Sequence, residues 1–429
     1  MNRPLRIHVC IDQPLRDEQA SGLVRSWVHF WGEAARHDDL DVTGHTVGDR
    51  RRTRVVAPNV RVREHPSFLS PTRWLDSLGL ETPTQVGLFP YHPTLAAELA
   101  RADVLHTTYT YLSFAMTALA VSRRRRIPLV NSLQTHVPLH SEIYAHRFAE
   151  LVFGRTPLRG LLVDRRGFAR PLRAGFERQL RWYLARCNRV LVSAPADAAR
   201  VPGGMPTDRV SLLGRGIDKG RFHPGRRDRR WLRERFGVAE DEPVVLFVGR
   251  IMPEKNVLTL ARALARLREG GERFTLLLCG RGSQQEEVAR LLGDRAVLAG
   301  VQPHDALGRI YASCDVFAFP STTEMYANVV VEAMCSGVPP VVSGREGASQ
   351  HVDRPGENGL VVDADEPGPW AEAIRRLLGD RSLRRRMGAA ARARIERDYG
   401  GWGEVFDRVL KPAWLAAAAE GRPPRRPWS

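Results

Sequence analysis

Short apolar, β-branched runs recur along this chain at intervals that leave room for a helix, and this alternation constrains the fold more than any other feature. In the first half the runs are Ile7–Ile11, Asp103–Thr107, Pro128–Ser132 and Arg189–Ser193, followed by Val210–Leu213. In the second half they are Val244–Gly249, Thr275–Gly280, Ala296–Gly300, Val316–Pro320 and Pro339–Ser343. Amphipathic stretches lie between them. One of these, Leu258–Glu269, is apolar at Leu258, Leu260, Ala261, Leu264 and Leu267. Strand–helix alternation predicts parallel sheets covered on both faces. Two sets of it predict an α/β protein of two doubly wound, Rossmann-like domains.

The length of 429 residues suits two cores better than one. A polar stretch, Asp218–Asp241, separates the two sets and gives domains of residues 1–217 and 218–401. Residues 402–429 read as a final helix, Trp402–Ala419, and a Pro/Arg tail expected to be disordered; the helix before it is Leu383–Asp398. No apolar run approaches the roughly 18 residues needed to span a bilayer. The first run, interrupted by His8 and preceded by Arg6, reads as a buried strand and not as a leader. Five scattered cysteines (Cys10, Cys187, Cys279, Cys314, Cys335) lack zinc or disulfide spacing and predict a reduced, cytoplasmic protein.

The net charge of +17 is unevenly placed. Residues 1–100 balance at 12 Lys+Arg and 12 Asp+Glu, whereas residues 101–200 carry 17 against 6. Arginine supplies nearly all of it, the lysines being Lys219, Lys255 and Lys411. Arginine-rich coding explains this as readily as a surface facing an anionic membrane or a phosphorylated acceptor. No nucleic-acid-reading module is recognisable, so nucleic acid is not an expected partner.

The most informative segment runs from Phe319 through Glu324, Met325, Tyr326, Ala327, Asn328 and Glu332 to Pro339. A strand ends, a polar loop follows, and an apolar helix starts near Ala327, so unpaired amides and a positive dipole end are available to a diphosphate. Glu324 and Glu332 would stand ~12 Å apart if all the residues between were helical, a reach from hexose to ribose of a nucleotide sugar. Carboxylates suit vicinal diols. An ordinary buried helix with two surface glutamates is the plainer alternative. Arg250, at a strand's C-terminal end, and Lys255, at the next helix start, are placed to neutralise a leaving diphosphate.

From about Val244 to Asp380 the chain resembles the donor domain of retaining glycosyltransferases of the GT-B fold, family 4 (glycosyl transferases group 1). The resemblance rests on Gly249-Arg250, Pro253-Glu-Lys-Asn256, Leu278-Cys-Gly-Arg-Gly282, Leu298-Ala-Gly-Val301, the Glu324/Glu332 spacing and Asn358-Gly-Leu360. Upstream, Gly214-Arg-Gly-Ile-Asp218 and Arg221-Phe-His-Pro224 resemble that family's inter-domain crossing. The resemblance implies domains facing across a cleft, an N-terminal acceptor domain, a C-terminal donor domain and a last helix returning to the N-terminal domain. It implies that Arg250 and Lys255 contact the diphosphate, Glu324 the sugar hydroxyls and Glu332 the ribose. Amides around Tyr326, Ala327 and Asn328 would complete the phosphate site, and backbone near Gly280, Gly282 and Val301 would meet the base. Ala327 stands in a stretch where the family often has Phe-Gly.

In the N-terminal half, Ser21-Gly22 resembles the family's glycine loop, with Gly22 as a donor contact. His136 resembles a histidine facing the sugar, and His106 competes for that position. Asp363-Ala-Asp365 tempts a metal reading but follows a terminal strand and reads as loop polarity, so no metal and no bound cofactor is expected. Phosphate-loop and dinucleotide glycine motifs are missing from the sequence.

The resemblance implies retention of anomeric configuration, with a front-face displacement as its mechanism. The acceptor stays open among a lipid-linked molecule, a cyclitol and a natural-product sugar. Arg147–Arg189, interleaved with apolar residues and Trp182, would suit an anionic membrane surface at its inner face. A nucleotide-sugar epimerase on the same fold, and a non-catalytic binder of membrane or nucleic acid, are the rival readings.

Overall fold

The computed structural model describes residues 3–15, 22–66, 91–134, 169–322, 324, 326–345, 347–424 and 427. Contacts divide the chain into two units, one of Met1–Gly214 with Trp402–Ser429 and the other of Arg215–Gly401. Residues 215–217 go with the second unit because the Arg215 amide donates to Tyr326 Oη at 3.2 Å and the Ile217 amide donates to Gly400 O at 3.1 Å.

The first unit is built on eight strands: β1 (Leu5–Pro14), β2 (Leu40–Gly48), β3 (Arg52–Ala57), β4 (Val60–Pro66), β5 (Val104–Thr107), β6 (Leu129–Leu133), β7 (Arg189–Val192) and β8 (Val210–Leu212). Their order is β3-β4-β2-β1-β5-β6-β7-β8, parallel throughout except for the β3–β4 hairpin. Strands β2, β3 and β4 escape the sequence reading. Exposed arginines dominate β3, and Gly44 and His45 break the apolar run of β2. Gly44 is there for space, since a Cβ would lie 2.5 Å from the Trp31 ring. The C-terminal segment is a short helix (Trp402–Val405), a π turn (Phe406–Leu410) and a helix (Lys411–Glu420). It docks on this unit through a Trp402–His29 stack at 4.4 Å and a Lys411–Asp39 ion pair at 2.9 Å.

The second unit has six parallel strands: β9 (Val244–Val248), β10 (Thr275–Cys279), β11 (Ala296–Gly300), β12 (Val316–Phe319), β13 (Pro340–Ser343) and β14 (Leu360–Val362). The order is β11-β10-β9-β12-β13-β14. Every residue of β9, β10, β12 and β13 is buried, as strands covered on both faces require. The helix Val257–Glu269 buries Val257, Leu260, Ala261, Leu264 and Leu267, a helical stripe that packs against the helix Pro367–Gly379. All five cysteines are buried and free. Among the described residues no helix is long and apolar enough to cross a membrane.

Candidate active site

The strand order of the second unit reverses between β9 and β12, since β10 and β11 extend to one side of β9 and β12, β13 and β14 to the other. Loops leaving the carboxyl ends of two such strands diverge and open a crevice there. Arg250, the turn Pro253–Lys255 and the helix Val257–Glu269 follow β9, and Ser321, Glu324 and the helix Asn328–Cys335 follow β12.

At this point Lys255 Nζ donates to Glu324 Oε1 in a close ion pair, and Ser321 Oγ donates to the same oxygen at 2.9 Å. Burial opposes the charge on Glu324, but the Lys255 ammonium and the two hydrogen bonds outweigh it and hold the carboxyl below its ordinary value. Arg250 reaches outward, half-exposed, and pairs with the buried Glu254 at 3.1 Å. Glu332 accepts from Tyr311 Oη at 3.0 Å from within the helix. At that helix's first residue, the Asn328 side-chain oxygen is buried with no hydrogen-bond partner among the described residues. Two cations, a fixed carboxylate and the start of a helix thus share one edge.

The loop that carries Glu324 is held from several sides. Ala327 caps the helix in the left-handed region, at φ 50°, a conformation that costs an L-residue about 1–2 kcal/mol and that glycine would adopt freely. His351 Nε2 donates to Tyr326 O while its Nδ1 accepts from Tyr399 Oη at 2.7 Å, and burial lowers the imidazole to about 4. Gly347 passes so close beneath that a Cβ would lie 1.7 Å from Glu324 O. His351 escapes the sequence reading because it belongs to no recognisable motif, and Ser321, though within the Phe319–Pro339 segment, is not singled out there.

Gly280 and Gly282 sit on the loop after β10. A Cβ at Gly280 would lie 1.8 Å from Gly249 O, and one at Gly282 2.3 Å from Ile251 O, so strand-end packing alone requires both glycines. Val301 follows β11 with its side chain exposed. Asp365 pairs with Arg345, in keeping with loop polarity.

Gly22 begins the helix Gly22–Ala34 of the first unit, and His136 lies outside the described residues. His106 is corrected as a candidate: it is fully buried, receives the Trp414 indole N–H at Nδ1 (2.8 Å) and meets Ser132 Oγ from Nε2 (2.9 Å). Both nitrogens are engaged, burial lowers the ring to about 3, and the residue anchors the C-terminal helix. Three residues distant in sequence, His45, His65 and Glu98, do gather a potential metal-ligand set, with His45 Nδ1 and His65 Nε2 2.9 Å apart. Arg51 and Arg63 already pair with Glu98, so the carboxylate charge a cation would require is neutralised by guanidinium groups.

Two doubly wound parallel-sheet units, one bearing cations and a carboxylate at its switch point, make up the GT-B fold of this chain. The chain belongs to the family described as Glycosyl transferases group 1, which residues 228–394 match. It is 32% identical over 355 residues to the D-inositol 3-phosphate glycosyltransferase of Nocardia farcinica, covering 78% of this chain and 71% of that protein. Its fold is similar to sucrose-phosphate synthase from Thermosynechococcus elongatus (TM-score 0.71, 21% identity, 97% of this chain and 100% of that one). It is also similar to Anabaena HepE in complex with UDP and glucose (TM-score 0.64, 18% identity, 95% and 99%).

Proposed function

We propose that the chain transfers a hexosyl-type group from a nucleoside diphosphate sugar, held by the Arg215–Gly401 unit, to a hydroxyl of a cyclitol or sugar acceptor, with retention of configuration. The observation that carries this reading is the Lys255–Glu324 pair at the β9/β12 switch point, beside the start of the helix Asn328–Cys335. Glu324 is ionised and fixed, and accepts hydrogen bonds from sugar hydroxyls. Arg250 and Lys255 meet the phosphates, Tyr326, Ala327 and Asn328 offer the helix-start amides, and Glu332 accepts from the ribose. The base lies against Gly280, Gly282 and Val301, while Gly22 and His136 belong to the first, acceptor-binding unit. The bond from the anomeric carbon to phosphate breaks as the acceptor oxygen bonds to that carbon on the same face. The departing phosphate oxygen takes the acceptor's proton, and the site's cations hold the charge without a metal.

A phosphorylated cyclitol is the favoured acceptor, supported by the activity for which the Nocardia relative is named. Transfer from UDP-, GDP-, ADP- and dTDP-sugars to inositol and to inositol 3-phosphate, with the product anomer read by NMR, tests donor, acceptor and stereochemistry together. Glu324→Ala is expected to lower turnover 10²-fold or more, the size typical of losing a residue that stabilises a transition state, in a variant that still folds. Full turnover in that variant would remove Glu324 from the mechanism, and donor turnover with no acceptor would favour epimerisation.

The protein is further proposed to work in the cytoplasm and to touch the inner membrane face. Arg178, Arg181 and Trp182 are exposed on or beside one another along the helix Ala169–Leu184, whose upstream basic stretch from Arg147 lies outside the described residues. Co-sedimentation with anionic vesicles that fades with salt tests this.

A further inference from the structure

The two cations nominated from sequence are both paired with carboxylates, Arg250 with Glu254 and Lys255 with Glu324. A third cation beside them is not. Arg215, in Gly214-Arg-Gly-Ile-Asp218, is 9% exposed, yet its guanidinium makes no ion pair and no hydrogen bond among the described residues, and its Nε is buried without a partner. Its backbone is fixed by Tyr326, whose hydroxyl accepts from the Arg215 amide at 3.2 Å. The guanidinium carbon stands 5.3 Å from the centre of the Tyr326 ring, and the group feels the charge of Glu324. Lys255 and Ser321 hold Glu324 at Oε1, and the Arg215 guanidinium forms no direct ion pair with that carboxylate.

A buried cation without a counter-ion is energetically costly and is retained where something else supplies the negative charge. Arg250 and Lys255 each have a carboxylate in direct contact and Arg215 has none among the described residues, and it lies next to Tyr326 and Ala327, which lead into the helix Asn328–Cys335. We propose that Arg215 is a third phosphate-binding cation of the donor site, its guanidinium fork contacting diphosphate oxygens beside the helix start. A planar fork matches two phosphate oxygens at once, which an ammonium does not. The proposal rests on the donor-site reading above and adds a residue to it.

The test is titration calorimetry of the full chain with UDP, GDP and ADP, and with the corresponding monophosphate, for the unaltered protein, Arg215→Met and Arg215→Lys. Arg215→Met is expected to raise the diphosphate Kd tenfold or more and the monophosphate Kd by much less, with an apo melting temperature that is unchanged or higher. Arg215→Lys, which keeps the charge without the fork, is expected to weaken the diphosphate several-fold and decides the matter if the methionine variant does not fold. Unaltered diphosphate affinity in the folded variants overturns the proposal, as does equal weakening of both nucleotides with a lowered melting temperature, the signature of a strut beneath Tyr326. If the unaltered chain binds none of the three diphosphates, the donor-site reading itself fails and this proposal with it.

Discussion

The two sheets bury different things. In the second unit, β9, β10, β12 and β13 have interiors that are almost wholly aliphatic and aromatic, and ionisable groups gather at the strand ends. The first unit buries histidines within the sheet itself. His8 on β1, His45 on β2 and His65 on β4 form a line of rings, with His8 Nδ1 and His45 Nε2 3.0 Å apart and Glu98 closing its end. Burial lowers His8 and His65 to about 4 and holds His45 well below its ordinary value, so all three are neutral at pH 7. The first core therefore carries most of the buried groups that respond to protons, His8, His45, His65 and His106 against His351 of the second among the described histidines.

The largest effect that sharpens this contrast is expected from Gly280→Ala. Its Cβ would collide with Gly249 O at 1.8 Å, at a position whose φ is 151°. A loss of about 3 kcal/mol follows from the clash and the strained backbone. Hydrogen exchange should show β9 and β10 opening while β1 and β2 keep their protection. Uniform loss of protection would break the comparison.

Acid should act the other way round. For a histidine held near 4 in the folded state and near 6.5 when unfolded, the unfolded chain binds more protons between those values. Stability is then fully present above about 6.5 and is lost as pH falls toward 4. Asp12 opposes this, since burial pushes its carboxyl up to about 7 and its contribution grows as pH falls from that value. With His8, His45, His65 and His106 on one side and Asp12 alone on the other, the histidines outweigh the carboxyl and the first unit should lose stability between pH 7 and pH 5. Exchange protection of β1, β2 and β4 should fall first, and earlier loss in β9 and β10 would contradict the assignment.

The smallest effect concerns the helix cap. Ala327→Gly relieves a left-handed alanine and should raise stability by about 1 kcal/mol, read as the denaturation midpoint. Stabilisation with lower turnover would show that the strained cap aligns Glu324 for transfer; stabilisation alone would make the cap a packing compromise.

Much of the second unit was legible beforehand for a local reason. Its strands are continuous apolar runs, and the residues after β9 and β12 follow a motif, so Arg250, Lys255, Glu324 and Glu332 were found at the switch-point edge. Strands β2, β3 and β4 were not legible, because arginines on an exposed hairpin and histidines in a buried strand do not produce an apolar period. His106 shows the converse limit: a histidine at a strand end suggested chemistry, and only Trp414, 308 residues away, revealed an anchor.

The sequence by itself determined the α/β class, the two-unit division and the segment that bears the candidate site, since each is written in short-range periodicity and spacing. Tertiary structure alone decided who pairs with whom. Lys255 and Glu324 close on each other, Glu98 is taken by Arg51 and Arg63, and Arg215 is left without an ion pair among the described residues. Pairing depends on distance and burial, which arise only when segments far apart in the chain are folded into the same few ångströms.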